Sequence, residues 1–283
     1  MMKKNIIIII LSLFVTAVSF AATVGGPSDM ELPEGTLYSR NQAISNALDI
    51  YEYNMNIKGT VDIEIVTERE IDSVDPDTSA AKLEGYSAMV KLSNNFHNVL
   101  EPYIKIGSSS YEVKWRQHNK DVTVESQPGL TWGVGTKVKL WEFENIATKL
   151  TLDVQHRESD LDVDTAQLNG SATTASAASK KLEIKDLQLT LLASKKITMY
   201  GATQDYFIVP YAGMTFTDAD INVKFTQTTT GALYSTYNAS NKNKLGAVLG
   251  FDIMPSLLSW YLLSLELRLV NETAFTLSGT VRF

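Results

Sequence analysis

Cysteine is missing from this chain altogether, and histidine occurs only three times in 283 residues. The first absence rules out disulfides, thiolate chemistry and cysteine-based metal sites. The second leaves His97, His118 and His156 as the whole supply of imidazole for acid–base work. Long apolar runs are scarce as well. One covers residues 6–18, and the richest later stretch, 253–270, is broken by Pro255, Glu266 and Arg268, so it offers no helix of the roughly 20 apolar residues that a membrane span needs. Positive charge is also in short supply. The 25 Lys and Arg face 32 Asp and Glu, a formal net charge of −7, which argues against nucleic acid as a partner.

What is present begins with an export signal. Lys3 and Lys4 precede the apolar run, and Ser19-Phe20-Ala21 supplies the small residues of a cleavage site, so residues 1–21 are expected to be a signal peptide cut near Ala21. Losing the two lysines makes the mature chain more acidic still. No cysteine follows the apolar run, so a lipid anchor is not expected. An exported chain without disulfides must draw its stability from elsewhere, and a closed barrel in a membrane meets that requirement.

The mature chain alternates with period two. Tyr51, Tyr53, Met55, Ile57, Gly59, Val61, Ile63 and Ile65 fall on one face, opposite Glu52, Asn54, Asn56, Lys58, Thr60, Asp62 and Glu64. A helix would mix these sets, so the segment is a strand. The pattern returns at Tyr86–Leu92, Leu130–Leu140, Leu150–Val154, Leu187–Ala193, Leu245–Ile253, Tyr261–Leu269 and Phe275–Phe283, with two less regular segments at Tyr103–Tyr111 and Phe207–Phe216. The expected fold is all-β: a closed, antiparallel, transmembrane up-and-down barrel of about ten strands over residues 51–283, with eight or twelve left open. The spacing predicts long polar outer loops at 67–81, 114–128, 157–180 and 218–244 and a short one at 271–273, with mostly shorter inner turns. Trp141, Phe143, Trp260, Tyr261 and Phe283 are placed at an inner aromatic girdle, and Tyr111, Trp115 and Phe225 at an outer one.

In its closing strand, Phe275, Leu277, Gly279, Val281 and Phe283, the chain resembles small Gram-negative outer-membrane barrels of the opacity-type, OmpA-like and porin-like classes. The resemblance implies that this strand is an assembly signal read by the barrel assembly machinery, with periplasmic chaperones as earlier partners. It further implies a bacterial outer-membrane location, lipid and lipopolysaccharide as surroundings, and a monomer.

Residues 22–50 are read as a periplasmic lead-in or as a plug, since Leu37, Ile44, Ala47, Leu48 and Tyr51 fall near helical spacing. The inward faces collect Lys58, Asp62, Glu64, Lys137, Lys139, Lys149, Asp153, Asp252, Glu266, Arg268 and Arg282, which either pair to fill the lumen or line a narrow path for ions and small solutes. An enzyme is not expected: His97 sits on an inner turn, and His118 and His156 lie among carboxylates without a nucleophile in a recognisable setting. Asp160, Asp162 and Asp164, and Glu68, Glu70, Asp72, Asp75 and Asp77, form acidic clusters without the glycine turn and closing Glu of a calcium loop, so neither a metal nor another cofactor is expected. The rival architecture is a soluble exported lipocalin-like binding protein, with its apolar faces turned inward.

Overall fold

The computed structural model describes residues 26–28 and most of 55–282, leaving out 74–77, 97, 118, 173–176, 202–204, 228–232 and 256–260. The signal peptide, the rest of the segment 22–50, His97, His118, Asp75, Asp77, Trp260 and Phe283 therefore lie outside the described residues.

Among the described residues, fourteen stretches of strand build one antiparallel sheet. They are β1 (Met55–Ser73), β2 (Thr78–Phe96), β3 (Leu100–Gln117), β4 (Lys120–Ser126), β5 (Gly129–Phe143), β6 (Thr148–Leu168), β7 (Ser171–Ala172), β8 (Ala177–Lys195), β9 (Ile197–Met199), β10 (Tyr206–Gln227), β11 (Leu233–Asn241), β12 (Leu245–Pro255), β13 (Tyr261–Leu269) and β14 (Thr273–Arg282). β4 and β5 form one wall strand interrupted at Gln127-Pro128, where proline has no N–H to give the ladder. β11 and β12 form another, interrupted at 242–244. β1 pairs with β2 on one side and with β14 on the other, from Lys58↔Arg282 to Glu68↔Thr273, so the sheet closes on itself as a ring of about ten strands. Closure matters physically because it leaves no open edge of unpaired N–H and C=O groups.

The wall has two storeys. In the lower one all ten strands take part. The β13–β14 hairpin is short, turning at 270–272, and above its tip the last described pairs of β1 join it to β11 instead: Ile71↔Asn241, Asp72↔Ser240 and Ser73↔Ala239. The upper storey is therefore closed by eight strands: β1, β2, β3, β4, β6, β8, β10 and β11.

Polarity inverts between the storeys. Below, apolar side chains face outward, among them Val61, Ile63, Val90, Leu92, Ile104, Leu189, Leu191, Leu249 and Leu277; Ile106 is 57% exposed and Leu263 51%. Above, the interior is an apolar core of Val66, Ile71, Leu83, Tyr111, Val113, Trp115, Val124, Leu161, Val163, Leu182, Ile184, Ile221, Val223 and Tyr237. The upper outside is charged and laced by cross-strand pairs, such as Lys114–Glu84 at 2.8 Å, Lys224–Glu183 at 2.5 Å and Lys242–Glu70 at 3.0 Å. Three wall strands change phase at the boundary. β1 does so through a bulge between Val66 and Glu68, which turns Arg69 and Ile71 inward, and the other two change phase at the interruptions named above. The remaining strands keep phase while the residue types on their two faces exchange.

This arrangement corrects the expected loops. Much of 67–81, 114–128, 157–180 and 218–244 is strand rather than loop. Tyr111 and Trp115, expected in an outer girdle, are buried in the upper core, Trp115 stacking on Tyr237 at 4.2 Å between centroids. Phe225 is partly buried and packs against the same core.

Candidate functional site: the lumen

The lower storey is filled with polar side chains because every second residue of its strands points inward, and the sequence places charge there. Among the described residues the buried charges balance: Lys58, Arg69, Lys91, Lys105, Lys137, Arg157, Arg268 and Arg282 stand against Asp62, Glu64, Glu101, Asp153, Asp186, Asp252, Glu266 and Glu272. Single-sign rings are what select ions in pores. A balanced set instead neutralises itself, so it fills space without favouring either sign of solute.

The balance is organised in layers. At the level where ten strands become eight, three arginines and three carboxylates form a chain. Glu64 accepts from Arg157 at 2.6 Å, and Arg157 also donates to Asp186 at 2.7 Å. Asp186 accepts from Arg69 at 2.9 Å, and Arg69 donates to Glu272 through Nε at 2.8 Å and again through Nη2. Arg268 lies 3.2 Å from Glu272 and donates to the Gln188 amide oxygen at 2.9 Å. The chain joins β1, β6, β8, β13 and the hairpin tip, and the apolar core sits directly above it. Below it, Lys58 reaches Glu101 at 2.5 Å, Lys105 lies 3.4 Å from Asp62, and Lys91 and Lys105 each stand 5.5 Å from the centre of the Tyr103 ring.

One device occurs twice. Tyr103 on β3 lies across Gly135 of β5, its register partner, and its hydroxyl donates to Asp153 on β6 at 2.8 Å. Tyr211 on β10 lies across Gly250 of β12, its register partner, and reaches Glu266 on β13 at 3.3 Å. A Cβ on either glycine would collide with the tyrosine ring, so the glycine is what lets the ring lie flat on the neighbouring strand and the phenol reach the next one. The mixed faces of Tyr103–Tyr111 and Phe207–Phe216 come from these inward tyrosines.

Apolar side chains outside and charges inside separate this storey from a lipocalin-like barrel, which is closed too but carries its apolar face inward. A nine-residue strand such as β13, tilted as barrel strands are, covers about the 25 Å of an outer-membrane apolar band. The chain folds as an outer-membrane β-barrel.

The sequence matches no protein-family model and no curated protein. Among solved structures the barrel is similar to the translocator domain of the autotransporter NalP from Neisseria meningitidis, at 9% identity and a TM-score of 0.38, over 86% of this chain and 93% of that one. The outer membrane protein OprG from Pseudomonas aeruginosa shares 8% identity over 81% of this chain and 95% of that one, with a TM-score of 0.38. The Ralstonia pickettii toluene transporter TbuX shares 10% identity over 94% of each chain, with a TM-score of 0.34. Likenesses of this size say nothing of what the barrel does, and its architecture rests on its own strand pairing.

Of the inward charges expected from sequence, Lys58, Asp62, Glu64, Lys137, Asp153, Asp252, Glu266, Arg268 and Arg282 are buried in the barrel. Lys139 and Lys149 are not. A register shift between Lys139 and Trp141 turns the end of β5, and both lysines sit partly buried at the lower rim, on Glu142 at 2.8 and 3.1 Å. Phe275, Leu277, Gly279 and Val281 lie on the outward face of β14, opposite buried Thr276, Ser278, Thr280 and Arg282. Asp160 and Asp162 face outward from β6, where Lys181 pairs with both, at 3.0 and 3.3 Å. His156 is also on the outward face, 3.2 Å from Glu158 and edge-on to Trp132.

Sequence reading missed Arg69, Arg157, Asp186 and Glu272, the centre of the network. Arg69, Arg157 and Glu272 fall in segments read as loop. Asp186 lies on a recognised inward face, beside Gln188 and Thr190, and was legible there.

Proposed function

We propose that this protein is a sealed outer-membrane barrel with a structural, surface-displaying role, and that it does not conduct solutes. The observation that carries this reading is the apolar core of the upper storey. Eight strands leave an interior just filled by side chains, and among the described residues the filling is packed Leu, Val, Ile and aromatic residues with no charged path through it. The self-neutralising network beneath supports the same reading, and so do ion pairs spread over an upper surface suited to water. In this orientation the lower end is periplasmic, the signal peptide is removed near Ala21, and the upper storey projects among the lipopolysaccharide headgroups. Assembly runs through periplasmic chaperones and the barrel assembly machinery, which reads Phe275–Phe283, and the product is a non-catalytic monomer.

The test is reconstitution. Protein refolded in detergent should show heat-modifiable gel migration, and the same sample in a planar bilayer should be silent. Discrete conductance steps from the folded species would replace the sealed reading with the narrow pore that the sequence also allows.

A further inference from the structure

Three residues remote in sequence from the barrel wall sit inside its lumen, against Asp252. Ser28 is 2% exposed and binds Asp252 on β12 twice, through its backbone N–H at 3.1 Å and through its hydroxyl. Lys137 on β5 donates its ammonium to the Gly26 carbonyl at 2.9 Å. Around the wall β5 and β12 are separated by β6, β8 and β10, so Lys137 and Asp252 approach the segment from nearly opposite sides of a ten-stranded ring. Gly26 lies so close to Asp252 that a Cβ would collide with the carboxylate.

The chemistry of the two anchors suits a peptide main chain. An ammonium takes a carbonyl, a carboxylate takes an N–H and a hydroxyl, and Gly26-Pro27-Ser28 presents these groups in that order. Both anchors sit in the lower part of their strands, β5 and β12 each running downward from the storey boundary. A segment merely passing the mouth would leave its amide and hydroxyl to water.

We propose that Gly26–Ser28 is an intramolecular strap that closes the lower mouth of the lumen, so that the barrel is stoppered by its own amino-terminal segment below and by its apolar core above. The inference deepens the sealed-barrel reading and rests on it for the upper end only. With the strap released, the lower lumen becomes a cup reachable from the periplasmic side and still closed at the top.

The absence of cysteine makes the test clean. In the full chain, Ser28→Cys with Asp252→Cys should cross-link under mild oxidation in the folded, heat-modifiable species, while Ser28→Cys with the outward Leu263→Cys should not. Separately, Ser264→Cys places a thiol on the inward face beside Asp252. Its labelling by a polar maleimide should be slow in the otherwise native chain and about tenfold faster once Gly26→Leu and Ser28→Pro remove the close fit and the donated N–H. No cross-link in folded protein, or equal labelling with and without the strap substitutions, would overturn the inference. Conductance from the strap-released chain alone would sink the sealed upper storey and leave the cross-link and the labelling difference intact, whereas conductance from the native chain would overturn the strap's closure as well, so the two failures are distinguishable.

Discussion

Height along the barrel decides which face of a strand its leucines take. Leu263 is exposed to lipid on β13, while Leu161 is fully buried in the upper core on β6. Leu263→Arg should therefore cost about 2–4 kcal/mol of stability in lipid if it lies near the midplane. Leu161→Ala should cost about 2–5 kcal/mol through lost transfer energy and a cavity. Urea titration of folding into vesicles and into detergent tells them apart, since only the first penalty depends on the apolar phase. At Gly135, substitution by alanine should destabilise by about 1–3 kcal/mol through collision with the Tyr103 ring. Tyr103→Ala should abolish most of that increment, and a double-mutant cycle measures the coupling. In the upper storey, burial pushes the Tyr237 phenol from 10.0 up to about 12. A raised acid pKa means that the folded state favours the protonated form, so this contribution is complete below pH 10 and is lost as pH rises toward 12. Tyr237→Phe should flatten the alkaline fall in stability over that window, a change read by denaturant titration at pH 9, 11 and 12.

At the scale of elements, the short β13–β14 hairpin shapes the rest. It ends where the lumen changes from polar to apolar, its tip carries the buried Asn271 and Glu272, and Val270 there adopts φ 84°, a left-handed conformation unusual for a β-branched residue. Glu272 holds this turn between Arg69 and Arg268. Glu272→Gln should cost about 3–5 kcal/mol, because it leaves buried guanidinium charge uncompensated. Hydrogen exchange at 270–274 should rise more than at the far side of the barrel, and equal protection would show that the network does not anchor the tip. The strands of the lower storey were legible because a lipid-facing row and a wet row alternate with period two. The upper strands are no less regular. Asp160-Leu161-Asp162-Val163-Asp164 alternates as cleanly as Leu263–Leu267, with the sense reversed. Their pattern resembles that of loops because their outward rows are polar where a lipid-facing strand carries apolar ones, and because β1 and the two interrupted strands change phase at the boundary.

For the whole molecule, the two storeys use opposite solvents for the same sheet. Below, lipid takes the apolar face and the protein must neutralise its own interior. Above, water takes the polar face and the interior becomes an apolar core. Replacing Leu161 and Leu182 together by serine in a chain whose strap is already released by Gly26→Leu and Ser28→Pro, where the parent is silent and the variant still migrates as a folded, heat-modifiable barrel, should introduce conductance steps; continued silence would place the seal in the arginine–carboxylate layer instead. Local pattern was enough to determine the all-β class, the approximate strand number, the lipid-facing rows and most of the inward charges, since each follows from alternation along a single strand. The drop from ten strands to eight, the pairing of Arg69 with Glu272 and Asp186, and the seating of Gly26–Ser28 between Lys137 and Asp252 were decided only by tertiary structure. Each depends on which distant strand closes the ring at a given height, and a period along one strand carries no information about that.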